Sequence, residues 1–356
     1  MRCSLTHFHL THNLGSGNQA KRHLPNFMKS LISATTQRIF YPTAASRTRR
    51  PHQLRTLIMS ASGSATPTPN GQPPASTSAP AEAAKKQTPN IPKGKTEIKI
   101  LMLHGYTQSG PLFSSKTKAL SKLLTKALSP APFNLHPTLI FPTGPHRLRP
   151  SDIPGYVAPE AGADEDEDEG DSWAWFRKDE ATGSYRGLEA GMQRIASAIT
   201  EAGGIDGVCG FSQGGAVAAL VASALEHPHR TPPPPASSDS DAKDADWSWV
   251  EALRAANNDQ PLKYCVVYSG FYGPPEALKW LYEPKIATPT LHFVGSLDTV
   301  VEESRSQGLI DRCQDPTVVV HPGGHYVPVA KDWVMVLVGW LRRRYENKGA
   351  ADKESL

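Results

Sequence analysis

The sequence predicts an α/β fold: a largely parallel central sheet with helices on both faces, preceded by a long segment that does not pack. Three observations carry this. Apolar runs of strand length alternate with stretches whose apolar residues recur at helical spacing. Glycine-bearing turns separate the two kinds of segment, at "LHGY", "CGFSQGG" and "HPGGHY". The composition also changes near residue 95: up to Lys95 there are 13 Lys/Arg and one acid, Glu82, whereas the remainder holds 25 Lys/Arg and 33 Asp/Glu. The overall charge of +4 therefore hides a basic front and a mildly acidic body.

Residues 1–95 are expected to be a basic, Ser/Pro-rich leader. The first 58 contain nine Lys/Arg and no acid, a composition that fits a mitochondrial transit peptide, a disordered leader, or an upstream stretch if translation begins at Met59. Residues 60–95, rich in Ser, Thr, Pro and Ala, predict an unpacked linker. The folded body is expected over residues 96–345 and a disordered tail over 346–356.

Within the body, Glu97 to Leu103 predicts the first strand, ending at His104-Gly105. "SSKTKALSKLLTKALS" predicts a helix, with serine caps and Leu120, Leu124 and Leu128 on one face. "NLHPTLIFP" predicts the second strand. Leu188, Met192, Ile195 and Ile199 mark a helix stopped at Gly203-Gly204. "IDGVCG" predicts strand three and Gln213 to Glu226 its helix. "LKYCVVYSG", "PTLHFVG" and "PTVVVHPG" predict the last three strands, with a helix over Val300 to Arg312 between the final two. A closing helix ends in Arg342, Arg343 and Arg344, which oppose the negative end of its dipole. Two insertions interrupt the series: an acidic run at about 159–171, expected to be a solvated loop or to recruit a cation or a basic partner, and a Pro/Ser/Asp loop at about 227–246.

An acidic body argues against nucleic-acid binding, which needs clustered basic residues. The longest apolar stretches fall short of the roughly 20 residues that a transmembrane helix requires. Cys3, Cys209, Cys265 and Cys313 form no C-x-x-C pair or metal-ligand spacing, and Cys209 and Cys265 lie within apolar runs. This usage fits a reducing compartment, the cytoplasm or also the nucleus, with the mitochondrion open if residues 1–58 are a presequence.

Gly210-Phe211-Ser212-Gln213-Gly214 fits the G-x-S-x-G nucleophile elbow. A strand must turn sharply into a helix there, which exposes the hydroxyl at the carboxyl end of the sheet beside a helix N-terminus. Side chains two residues to either side would collide across the turn, so the residues there must be small. By itself the string is also compatible with a βα turn whose serine caps a helix. A nucleophilic serine needs a base and an orienting acid, and in this fold they follow in the order Ser, Asp/Glu, His. Asp298 lies three residues past Gly295, and His325 lies in the glycine-rich loop before the last helix. Asp298 has a competing role as a cap for the helix starting near Val300. His321 is expected within or at the edge of the last strand, and His146 in a loop with a structural or pocket-lining role. The N–H of Gln213 and that of Tyr106 are the expected oxyanion donors.

Together, "ILMLHGYTQSGPLFSSKT", "SWAWFRKD", "IDGVCGFSQGGAVAAL", "TPTLHFVGSLDTVV" and "GGHYVP" resemble the fungal-type serine hydrolase family, FSH, over about residues 95–345. Relatives of that family include the mammalian ovarian-cancer-associated hydrolase and thioesterases of fungal polyketide pathways. The resemblance implies an α/β-hydrolase fold, cleavage of a small-molecule ester or thioester with no metal or cofactor, and Ser212, Asp298 and His325 as the triad. Lysophospholipase or acyl-protein-thioesterase-like activity, a non-catalytic binding role, and scaffolding through the leader and acidic loop remain as alternatives. The long connection from Pro142 to Ser184 holds Trp173, Trp175 and Phe176, which are expected either to line an acyl pocket or to pack the loop onto the body.

Overall fold

Strand-forming apolar runs with little room for charge become buried parallel strands, and the spacing of helical apolar residues decides which side of each helix turns to the sheet. The computed structural model describes residues 37–40, 91–153, 171–233 and 246–346. Residues 154–170, which hold all of the acidic run but Asp171, most of the Pro/Ser/Asp loop (234–245), the tail from 347 and most of the leader lie outside the described residues.

Strands β1 (Gln37–Phe40), β2 (Thr96–Leu103) and β3 (Leu135–Ile140) join β8 (Gly207–Phe211), β9 (Tyr264–Tyr268), β10 (Thr290–Gly295) and β11 (Thr317–His321) in one sheet. Its order is β1-β11-β10-β9-β8-β2-β3, and every pairing is parallel. The short strands β4 (His146–Arg147) with β5 (Trp173–Ala174), and β6 (Arg177–Lys178) with β7 (Tyr185–Arg186), make two antiparallel ribbons. Every residue of β8 and β9 is buried, which is why these strands read as unbroken apolar runs.

The helices α1 (Gly110–Lys116), α2 (Lys118–Leu128) and α7 (Lys331–Glu346) contribute Phe113, Leu120, Leu124, Leu128, Val334 and Leu337 to the core on one face. The helices α3 (Leu188–Ala202), α4 (Gln213–Ala224) and α5 (Ser248–Ala256) contribute to the other, while α6 (Glu303–Ile310) precedes β11. All of α4 is buried, so its small residues let it nest between the sheet and its neighbours. Replacing Leu220 at its centre by Ala would cost about 2–5 kcal/mol.

The chain runs from β2 outward to β3, then returns to pair β8 on the opposite side of β2. The order reverses between β2 and β8, and the loops leaving their carboxyl ends part toward opposite faces. Such a switch point opens a crevice at the sheet's carboxyl edge.

Several elements differ from expectation. The helix expected from Ser114 divides at Thr117, whose hydroxyl donates to the Phe113 carbonyl at 2.7 Å, and Ser109 caps α1. The helix expected from Val300 begins only at Glu303. Helix α5 was concealed by the polar composition before it. Strand β1 lies within the segment expected to remain unpacked and pairs with β11. Cys209, Cys265 and Cys313 are buried and free, and no helix among the described residues is long and apolar enough to cross a membrane.

Candidate active site

At the end of β8 the chain must reverse into α4 within one residue. Ser212 does this with φ 53° and ψ −117°, a backbone conformation outside the broad allowed regions for L-residues. Its N–H donates to the Tyr268 carbonyl at 2.9 Å, and its carbonyl accepts from Gly215 and Ala216 at 2.9 and 3.1 Å. A Cβ on Gly210 would stand 2.1 Å from the Gly214 carbonyl oxygen, and one on Gly214 would stand 2.2 Å from that of Leu103. Glycine at both positions is therefore a steric necessity of the turn. Gly105 approaches from the β2 loop: its Cβ would meet Phe211 at 2.9 Å and Ser212 Cβ at 3.3 Å. The crevice thus brings the His104–Tyr106 turn against the serine.

His325 Nε2 lies 2.9 Å from Ser212 Oγ, and its Nδ1 lies 2.8 Å from Asp298 Oδ2. Because Oδ2 is an acceptor, Nδ1 carries the proton and Nε2 is left to accept from the serine hydroxyl. The other carboxylate oxygen, Oδ1, accepts from the N–H groups of Val300 at 3.0 Å and Val301 at 2.9 Å. One Asp298 oxygen thus ties the turn after β10 while the other holds the imidazole, so the capping and orienting roles coexist. Burial pushes the Asp298 carboxyl up, but the Val301 N–H, the His325 ring and the nearby Ser269 hydroxyl outweigh it and hold the group below the usual range. The three side chains form one hydrogen-bonded line at the positive end of α4.

A family model described as serine hydrolase (FSH1) matches residues 94–337. The chain belongs to the FSH1 serine hydrolase family. Among relatives, family of serine hydrolases 2 of Saccharomyces cerevisiae is 30% identical over 248 residues, covering 68% of this chain and 97% of that one. A Schizosaccharomyces pombe protein named dihydrofolate reductase is 31% identical over 243 residues, 65% of this chain. The match spans only 44% of that relative's length. The Danio rerio esterase OVCA2 is 27% identical over 261 residues, covering 69% of this chain and 97% of that one.

In this FSH1-family chain the segment bearing Trp173, Trp175 and Phe176 is fastened over the crevice. The Gln213 side chain accepts from the Trp175 N–H at 2.8 Å and donates to the Phe176 carbonyl at 2.9 Å. Trp175 Nε1 donates to the His104 carbonyl at 2.9 Å. Trp175 is 0% exposed and Phe176 2%, and Phe176 stacks on Tyr185 with ring centroids 4.0 Å apart. Trp173 is half-buried, and its Nε1 donates to Asp171 at 2.8 Å. Both rings thus pack the segment onto the body, the role that the burial of Trp175 and Phe176 favours over pocket lining. The cavity beside His325, about 300 Å³, is walled instead by Phe113, Phe211, Tyr326 and Val327, with Lys116 and Gln108 also lining it. A larger cavity of about 480 Å³ lies at the opposite, amino ends of the strands, among paired charges such as Lys263 and Asp206.

Neither competing histidine reaches the serine. His321 is buried at the end of β11, as expected, and His146 sits against Gly187, whose carbonyl lies 2.7 Å from its Nε2. His104 is the residue that sequence reasoning passed over. Its Nδ1 lies 2.8 Å from the Gly105 carbonyl, and its Nε2 accepts from the Gly144 N–H at 2.9 Å. Burial pushes this imidazole down to about 4, so it is neutral at pH 7 and locks the β2 turn. The Gln213 clamp was equally illegible, because nothing in a G-x-S-x-G string reports where the second x points.

Proposed function

We propose that this chain hydrolyses a carboxylic ester or thioester through an acyl-serine intermediate, with Ser212 as nucleophile, His325 as base and Asp298 as its orienting acid. The hydrogen-bonded line from Ser212 through His325 to Asp298 is the observation that carries the reading. As Ser212 Oγ bonds to the acyl carbon, His325 Nε2 takes its proton, and Asp298 stabilises the imidazolium that forms. The imidazolium then protonates the departing alcohol or thiol. A water then bonds to the acyl carbon while giving a proton to the same nitrogen, and that proton passes to Ser212 Oγ as its bond to the acyl carbon breaks, releasing the acid and free Ser212.

The oxyanion would rest on the N–H groups of Gln213 and Tyr106. Neither forms a backbone hydrogen bond among the described residues. Tyr106 follows Gly105, the residue pressed against Ser212, and Gln213 N is the first free amide of α4. Each such donor is worth about 2.7–4 kcal/mol of barrier lowering. An ester substrate also accords with the name of the Danio rerio relative. The mainly apolar walls of the cavity next to His325 suit an acyl chain. The test is labelling by a fluorophosphonate probe, followed by turnover of an acyl-ester and acyl-thioester panel. Wild type should be labelled and Ser212→Ala should not. An unlabelled wild type that turns over no panel member would overturn the reading.

A further inference from the structure

On the flank of the body, away from the triad, the chain leaves α4 through His227-Pro228-His229 and enters the Pro/Ser/Asp insertion. His229 Nε2 lies 2.9 Å from Asp259 Oδ1, and His227 Nε2 lies 3.8 Å from that same oxygen. The two imidazoles stand edge-on, with centroids 4.6 Å apart and planes at 86°. One ligand atom from each residue lies within 4.8 Å of the other two. We propose that His227, His229 and Asp259 form a transition-metal site, with Zn²⁺ the ion the donor set fits best, stapling the root of the insertion to the turn after α5.

Two imidazole nitrogens and one carboxylate oxygen favour Zn²⁺ and its neighbours over Mg²⁺ or Ca²⁺, which prefer all-oxygen shells. Tetrahedral ligands at 2.0–2.1 Å from zinc sit about 3.3 Å from one another. The separations to Asp259, 2.9 and 3.8 Å, bracket that value. Both sides of the site are held independently of any ion. Arg230, which follows His229, is buried and donates to Glu226 at 2.6 Å and to the Pro284 carbonyl at 2.5 Å. The Asp259 N–H donates to the Arg254 carbonyl at 2.8 Å. Among the described residues the charged partners of Asp259 are the two imidazoles. The three side chains are open to solvent, which admits the ion and leaves a fourth position for water. The staple joins residues 32 positions apart, across the whole insertion and α5. Its role is structural, and no step at Ser212 passes through it.

Untagged, chelator-treated full-length chain is titrated with ZnCl₂ by calorimetry, and Tm is read with and without the ion. Wild type should bind one Zn²⁺ and gain roughly 5 °C at a hundredfold excess over Kd, while MgCl₂ and CaCl₂ should leave Tm unchanged. His229→Gln and Asp259→Asn should each weaken binding by about tenfold or more while keeping wild-type circular dichroism and ester turnover. Ser212→Ala should bind as wild type does, which separates this site from the triad. No binding by wild type would overturn the proposal. So would binding that survives the double change His227→Gln/His229→Gln.

Discussion

Two histidine-glycine loops meet at the carboxyl edge of the sheet, one after β2 and one after β11, and they are opposites in chemistry. His104 is fully buried, and each of its ring nitrogens has a fixed backbone partner. His325 keeps 15% of its side chain exposed and places its nitrogens between a carboxylate and a hydroxyl. Backbone partners lock an imidazole into one neutral form, whereas a carboxylate opposite a hydroxyl lets it gain and lose a proton. What each ring nitrogen sees, rather than the residue type or its loop, separates this structural histidine from the proposed base.

This contrast breaks most sharply at His325. His325→Ala should lower ester turnover by about 10⁶-fold with Tm nearly unchanged, measured by steady-state kinetics and calorimetry. A modest loss of turnover would mean that another group serves as base. Next comes Asp298→Asn, which keeps the shape but offers His325 the wrong tautomer; kcat should fall about 10⁴-fold. Retention of full activity would remove Asp298 from the mechanism.

The β2 loop should respond in stability instead. His104→Ala leaves the Gly144 N–H without its acceptor and opens a buried void, so unfolding in urea should show a loss of about 3 kcal/mol. Unchanged stability would refute the lock. Acid tests the same residue in the wild type. The unfolded imidazole takes a proton near its ordinary 6.5, whereas folded His104 refuses one until about 4. Its contribution is therefore complete above pH 6.5 and is lost as pH falls toward 4, to a limit of about 3 kcal/mol. His292, pushed down by burial to about 3, adds in the same direction. Urea midpoints at pH 7 and 5 should differ less in His104→Gln than in wild type, and equal differences would count against this account. The smallest effect belongs to Trp175→Phe, which removes the indole bond to the His104 carbonyl and should cost about 1 kcal/mol while sparing turnover. A large change in acyl preference would instead return Trp175 to the pocket.

Much of the fold was legible because strand and helix periods are local. The runs at Glu97–Leu103 and Leu188–Ile199 and the stop at Gly203 all fall where the structure has them. The elbow and the order Ser212, Asp298, His325 were legible for a related reason: turn chemistry and chain order are written in sequence, and the geometry has the three within hydrogen-bond reach. What stayed hidden depends on partners distant in the chain. The Gln213 clamp and the His104 bond to Gly144 become visible only when the β4–β5 ribbon is brought against the ends of β2 and β8. Strand β1 was hidden because four residues without a patterned neighbourhood carry no periodic signal, and its identity comes wholly from the edge of β11.

Helix α4 is enclosed by protein along its whole length, so the serine is mounted on a post that has nowhere to slide. The rim is the contrast: there Leu297, Val300 and Tyr326 project into solvent beside Asp298 and His325. Amide protons of α4 should accordingly be among the last to exchange, and relatives with different tastes should differ in these rim loops while sharing the same rigid mount.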